Sequence, residues 1–108
     1  MTEEMPKPSA VNVNDIDRLL HEPARLQIMA LLYVVDKADF LFVLDQTGLT
    51  WGNLSSHLAK LESSEYVKIE KAFKGKRPNT SIQLTPRGRQ MFKEYAARMK
   101  RLVAELPE

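Results

Sequence analysis

Between Phe40 and Leu84 the apolar residues change their spacing, and that change limits the folds open to the chain. Leu54, Leu58 and Leu61 recur at i, i+4 and i+7, the inward stripe of one helix. Thr50 stands just ahead of that stripe as its N-cap, and Gly48 ends the preceding apolar run Phe40-Leu41-Phe42-Val43-Leu44. Periodicity alone allows that run to be a buried strand or a helix. Its position, with a glycine stop and a capped helix close behind, makes it the first helix of a helix-turn-helix. Further on, Val67, Ile69 and Phe73 alternate with polar residues, as do Ile82 and Leu84, which predicts two strands, Tyr66 to Phe73 and Thr80 to Leu84. Gly75 and Pro78 punctuate the six-residue loop between them, Lys74 to Asn79, which carries three cations, Lys74, Lys76 and Arg77.

The flanking segments complete an architecture that is mainly α with a small β-hairpin. Residues 1–12, with Pro6 and Pro8 and little apolar content, read as a flexible tail. Asn14 or Asp15 caps a short helix that turns Ile16, Leu19 and Leu20 inward. Pro23 suits the first position of the next helix, where its missing N–H costs nothing. That helix is apolar at Leu26, Met29, Ala30 and Tyr33 and again at Ile28, Leu31, Leu32 and Val35, so it is the central core helix. Thr85 caps a last helix with Pro86 in its first turn. Along it Phe92, Tyr95, Met99, Leu102 and Leu106 form a heptad seam on a rod roughly 30 Å long at 1.5 Å per residue. Packing on the chain's own domain is one use for that seam. Its reach beyond a compact domain favours the other, a dimer contact.

Composition narrows the function. With 108 residues the chain is one domain, too short for a sensor domain of ordinary size. It has no cysteine, hence no disulfide, thiol nucleophile or cysteine metal site. Two separated histidines, no His-Glu-x-x-His pair and no phosphate-cradling glycine loop argue against an enzyme, a metal site or a cofactor. No apolar run reaches membrane-spanning length, and the acidic, Pro-containing N-terminus does not read as a signal peptide, so a cytoplasmic location is expected. The charge is segregated. Residues 1–67 carry five Lys/Arg against ten Asp/Glu, whereas residues 68–101 carry eleven against Glu70 and Glu94. Such asymmetry points to a polyanionic partner, set against a merely solvated lysine-rich surface.

The second helix and the basic tip together suit a reader of double-stranded DNA. Away from its leucines the helix carries Trp51, Asn53, Ser55, Ser56, His57 and Lys60. Short or planar side chains let a backbone approach the major groove, and Asn53 offers a bidentate amide to adenine. Thr50, at the helix start, can meet a phosphate. Lys74, Lys76 and Arg77 have phosphate or minor-groove contact as their use, with solubility as the plain alternative. His57 is a base or phosphate contact or a solvated helix residue; Asn53 is a base reader or a local backbone cap. His21, before Glu22-Pro23, reads as structural.

The runs Leu49-Thr50-Trp51-Gly52-Asn53-Leu54-Ser55-Ser56-His57-Leu58, Tyr66-Val67, Phe73-Lys74-Gly75-Lys76-Arg77-Pro78 and Leu84-Thr85-Pro86-Arg87-Gly88-Arg89 resemble winged-helix transcriptional regulators of the MarR/ArsR type. The resemblance runs from about Ile16 to Phe92. It implies a homodimeric, DNA-binding transcriptional regulator, read here as a winged helix-turn-helix DNA-binding domain over residues 13–86 and a dimerisation helix over 87–108, acting by occlusion or recruitment at a promoter, with a repressor as the expected outcome. Two residues depart from the pattern: Glu65 stands where relatives have a glycine at a left-handed helix cap, and Trp51 where they have a polar or basic residue. The rival function is a winged helix that binds a protein partner without specific DNA binding, with Trp51 as its anchor. No motif marks a small-molecule effector.

Overall fold

Capping residues set most of the boundaries in the computed structural model, which describes residues 18–107. Residues 18–20 are helical and bury Leu20. The caps Asn14 and Asp15, Ile16 and the tail expected over residues 1–12 lie outside the described residues. Helix α1 (Pro23–Val35) opens on Pro23, and the Glu22 carboxylate accepts a hydrogen bond from the Arg25 backbone N–H at 2.9 Å. Ile28, Met29 and Leu32 are fully buried, with Leu26, Leu31 and Tyr33 packed beside them, so α1 is the central helix its two stripes predicted. Its last turn leaves the core, where Val34 and Val35 are exposed.

A short strand the sequence reading did not anticipate follows, β1 (Lys37–Asp39). One apolar residue between two charged ones shows no alternation to detect. Next come α2 (Phe40–Thr47), α3 (Trp51–Ser63), the strands β2 (Val67–Lys74) and β3 (Arg77–Leu84), and α4 (Pro86–Ala104). The sheet is antiparallel in the order β1-β3-β2, with Ala38 opposite Ile82 and Ile82 opposite Ile69. The hairpin expected from sequence is thus the larger part of a three-stranded sheet.

The expected six-residue loop is a correction. Strands continue to Lys74 and resume at Arg77, leaving a two-residue turn, Gly75-Lys76. Gly75 has φ +65° and Lys76 is not left-handed, the sign pattern of a II′ hairpin, which needs glycine first. Pro78 had suggested a loop because it lacks an N–H. It pairs with Phe73, next to the Lys74–Arg77 pair that flanks the turn, and strand bonding alternates, so its nitrogen points away from β2. β1 pairs only with Ser81, Ile82 and Gln83, so no ladder bond is lost at Pro78 on that side either.

Gly48 ends α2 in the left-handed conformation at φ +69°, and its N–H bonds the Leu44 carbonyl at 3.0 Å. Thr50 Oγ1 accepts from the Asn53 N–H at 3.2 Å and caps α3. Leu54, Leu58 and Leu61 are all buried, as their spacing required. Full burial of each contributes about 1.5–3 kcal/mol. α3 closes with the Tyr66 N–H on Leu61 O and the Glu65 N–H on Glu62 O, both at 2.9 Å, a Schellman motif. Glu65 sits at its left-handed position with φ +66°, so the glutamate bears the strain that glycine would avoid.

The start of α4 is clamped to that junction. Thr85 Oγ1 donates to Glu65 O at 2.6 Å and accepts from the Gly88 N–H at 2.9 Å. A Cβ on Gly88 would stand 2.0 Å from the Tyr66 carbonyl oxygen, so only glycine lets the helix approach. Arg89 then reaches the C-terminal end of α1, bonding Asp36 Oδ1 at 3.1 Å and lying 4.7 Å above the Tyr33 ring. No helix among the described residues is long and apolar enough to cross a membrane.

The heptad seam divides. Tyr95 is 2% exposed and its hydroxyl meets His21 Nδ1 at 2.6 Å, while Phe92 packs on Tyr33 with ring centroids 5.3 Å apart. Met99 also leans on the core. Tyr95 is therefore corrected from a contact with a second subunit to a core residue of its own chain, and a boundary at residue 86 would cut through that core. Leu102, Val103 and Leu106 are 54%, 65% and 61% exposed, left uncovered by the other described residues.

Candidate nucleic-acid interface

α3 presents three kinds of surface around its buried stripe. Asn53, Ser56 and Lys60 are exposed away from the core. Trp51 and Ser55 turn toward the β2–β3 hairpin, the wing, across a groove of about 780 Å³ that Lys71, Asn79 and Thr80 line from the other side. His57 turns the opposite way, toward the start of α1. Its side chain is 19% exposed, and its Nδ1 lies 3.3 Å from Arg25 Nη1 and 3.9 Å from Glu22 Oε1. The fully outward His57 expected from sequence is thus a half-buried one. A histidine some 70° around the helix from a leucine stripe lies on its margin, where it meets the neighbouring helix.

Trp51 is 60% exposed but not unsupported: its ring packs on Phe40 at 4.6 Å between centroids. One face is fixed by α2 and the other is open to the groove. Thr50, capping the helix, leaves backbone N–H groups of the first turn of α3 near the same end, a setting that favours an anion.

On the wing, Lys76 lies in the turn and Lys74 and Arg77 flank it, all exposed. Lys74 also lies 3.8 Å from Asp39 Oδ2, and Asn79 donates to Asp39 Oδ1 at 3.2 Å, which ties the wing to β1. Glu70 sits between Lys37 at 3.9 Å and Lys68 at 3.2 Å. Exposed pairs of this kind contribute little to stability, so the cations keep most of their attraction for an outside anion. Phe73, paired with Pro78 near the tip, is 72% exposed.

Two residues were overlooked at the sequence level. Lys71 shares a strand face with Ile69 and lines the groove; the period-two alternation places it there. Arg25 touches His57 from a different helix, and no sequence spacing signals that contact. Glu22 is held ionised: the Arg25 backbone N–H keeps its carboxyl below the ordinary 4.5, with His57 and the Arg25 guanidinium acting in the same direction against partial burial.

Residues 24–103 match the family described as winged helix DNA-binding domain. An uncharacterized protein of Methanocaldococcus jannaschii is 36% identical over 78 residues, 72% of this chain and 85% of that protein. The structure of a transcriptional regulator homologue from Pyrococcus horikoshii OT3 superposes with a TM-score of 0.79 at 32% identity, covering 86% of this chain and 96% of the other. A MarR-family transcriptional regulator from Silicibacter pomeroyi shares the fold at a TM-score of 0.63 and 18% identity, over 85% of this chain and 64% of its own.

Proposed function

Because the chain belongs to the winged-helix DNA-binding domain family, we propose that it reads a specific double-stranded DNA sequence as a homodimer and represses transcription there. The observation that carries this reading is α3. It is capped at both ends and anchored by three buried leucines, and it presents a short-chained polar face beside a wing tipped by Lys74, Lys76 and Arg77. Asn53, Ser55, Ser56 and Lys60 address base edges and flanking phosphates, His57 contributes one ring edge, and Thr50 takes a phosphate at the helix start. Trp51 packs its open face on a sugar or a thymine methyl. The wing cations hold phosphates and set register.

The uncovered Leu102, Val103 and Leu106 support self-association through the end of α4, with Phe92 and Met99 as partly buried neighbours of the seam. A two-fold dimer would place two α3 helices about 34 Å apart, in successive major grooves of an inverted repeat. Occupancy at a promoter then blocks polymerase.

Binding of duplexes selected by the full-length protein from a random-sequence pool tests the reading. Replacing Lys74, Lys76 and Arg77 by alanine should weaken all duplexes about equally and flatten the slope of log K against log salt by roughly 1 per lost phosphate contact. Asn53→Ala should instead lower the ratio of specific to non-specific affinity. The exposed Trp51 beside exposed Leu41 favours one other reading, a protein-binding module. Salt-independent binding to a protein partner, lost in Trp51→Ala, would replace the DNA reading with that one.

A further inference from the structure

We infer that Arg25 is a positioning residue for α3: it holds the His57 ring with Nδ1 as acceptor, which makes Nε2–H the donor offered to DNA. The group met by His57 is then an acceptor, either a phosphate oxygen or a base acceptor of the major groove (guanine N7/O6, adenine N7 or thymine O4). The inference rests on the DNA reading proposed above and adds to it a chemical preference at one position.

A guanidinium has five N–H donors and no acceptor. His57 Nδ1 lies 3.3 Å from Arg25 Nη1, so a proton on Nδ1 would set donor against donor. Nδ1 therefore carries the lone pair, and the neutral ring holds its proton on Nε2. Arg25 is not free to turn away, because its Nε donates to the Leu19 carbonyl at 2.7 Å. One planar fork thus ties the helical turn at 18–20 and α1 to α3. Glu22 Oε1, at 3.9 Å from Nδ1, is beyond hydrogen-bonding reach and does not compete for that nitrogen. No described residue bonds Nε2, so it is the ring nitrogen left for a ligand. A fixed donor is attracted to guanine N7 and O6, adenine N7, thymine O4 or a phosphate, and opposes the amino groups of cytosine and adenine.

The test uses the full-length protein, a duplex it selects from a random-sequence pool, and a mixed-sequence duplex as the non-specific reference. Arg25→Lys keeps the charge and removes the planar fork. It should lower the specific-to-non-specific ratio about tenfold, the scale of one weakened base contact, and leave the salt slope unchanged. In a His57→Ala background Arg25→Lys should cost nothing further, since it acts through the ring. Nitrogen-15 spectra of the imidazole in the free wild-type protein, taken where the ring is neutral, should show Nδ1 unprotonated and Nε2 protonated, with the two tautomers mixing in Arg25→Lys. A wild-type ring protonated on Nδ1 overturns the inference whatever the DNA data, and so does a loss in Arg25→Lys that adds to that of His57→Ala. An unchanged ratio with both affinities lowered in His57→Ala assigns the contact to a phosphate, and unchanged affinity for both duplexes overturns the DNA role of His57, while the spectra still decide the tautomer separately.

Discussion

α3 and α4 are both amphipathic helices with a stripe at helical spacing, yet they end differently. All three leucines of α3 are buried by the rest of the chain. α4 buries Tyr95 and leans Phe92 and Met99 on the core, then runs on with Leu102, Val103 and Leu106 exposed. The physical distinction is length. α3, with 13 residues, is matched to the domain it packs on, whereas the 19 residues of α4 outrun it. Periodicity reports that a face is apolar, not what covers it. It follows that the two halves of one seam on α4 respond differently to the same substitution.

The largest expected effect sharpens that contrast. Leu61→Ala should destabilise the fold by about 2–5 kcal/mol in denaturant titration, while Leu102→Ala changes monomer stability by less than about 0.5 kcal/mol. Sedimentation should show the reverse ranking for self-association, weakened by Leu102→Ala. Equal stability losses would mean that the end of α4 is covered within the monomer.

Next is the clamp that docks the buried half of α4. Gly88→Ala forces a Cβ against the Tyr66 carbonyl, backbone that cannot rotate aside, and should cost about 3 kcal/mol. For a domain of this size that corresponds to a drop in Tm of roughly 12–20 °C. A near-wild-type melt would show that the first turn of α4 shifts freely.

A gain is expected at the other end of the same junction. Glu65→Gly removes the left-handed strain from the cap of α3 and should raise stability by about 1 kcal/mol, less a few tenths for the added freedom of the unfolded chain. Loss of stability would mean that the Glu65 side chain does more than the backbone geometry indicates.

The smallest effect lies at Glu22, where α1 meets α3. Its carboxyl titrates lower in the folded chain than its ordinary 4.5, so its contribution is complete above that value and lost as pH falls through the lowered one. Glu22→Gln should flatten the acid limb of the stability–pH curve below about pH 4.5 and leave the neutral region sloped as before. An unaltered acid limb would show that the carboxyl titrates alike in both states.

Local chemistry sufficed for the elements. Pro23, Gly48, Thr50 and Thr85 marked helix boundaries because cap geometry depends on one residue and its neighbours. The Leu54–Leu58–Leu61 stripe named the buried face of α3 for the same reason. The charge boundary near residue 68 marked which half carries the wing. Tertiary structure decided whatever needed a partner distant in sequence. β1 exists because Ala38 finds Ile82, and Pro78 is tolerated in β3 because its nitrogen faces no partner strand. Tyr95 belongs to the core because His21, 74 residues away, meets its hydroxyl. Arg25 reaches His57 across 32 residues and gives the histidine a direction. Sequence spacing constrains which face a residue occupies; it carries no information about which distant side chain will occupy the space in front of it.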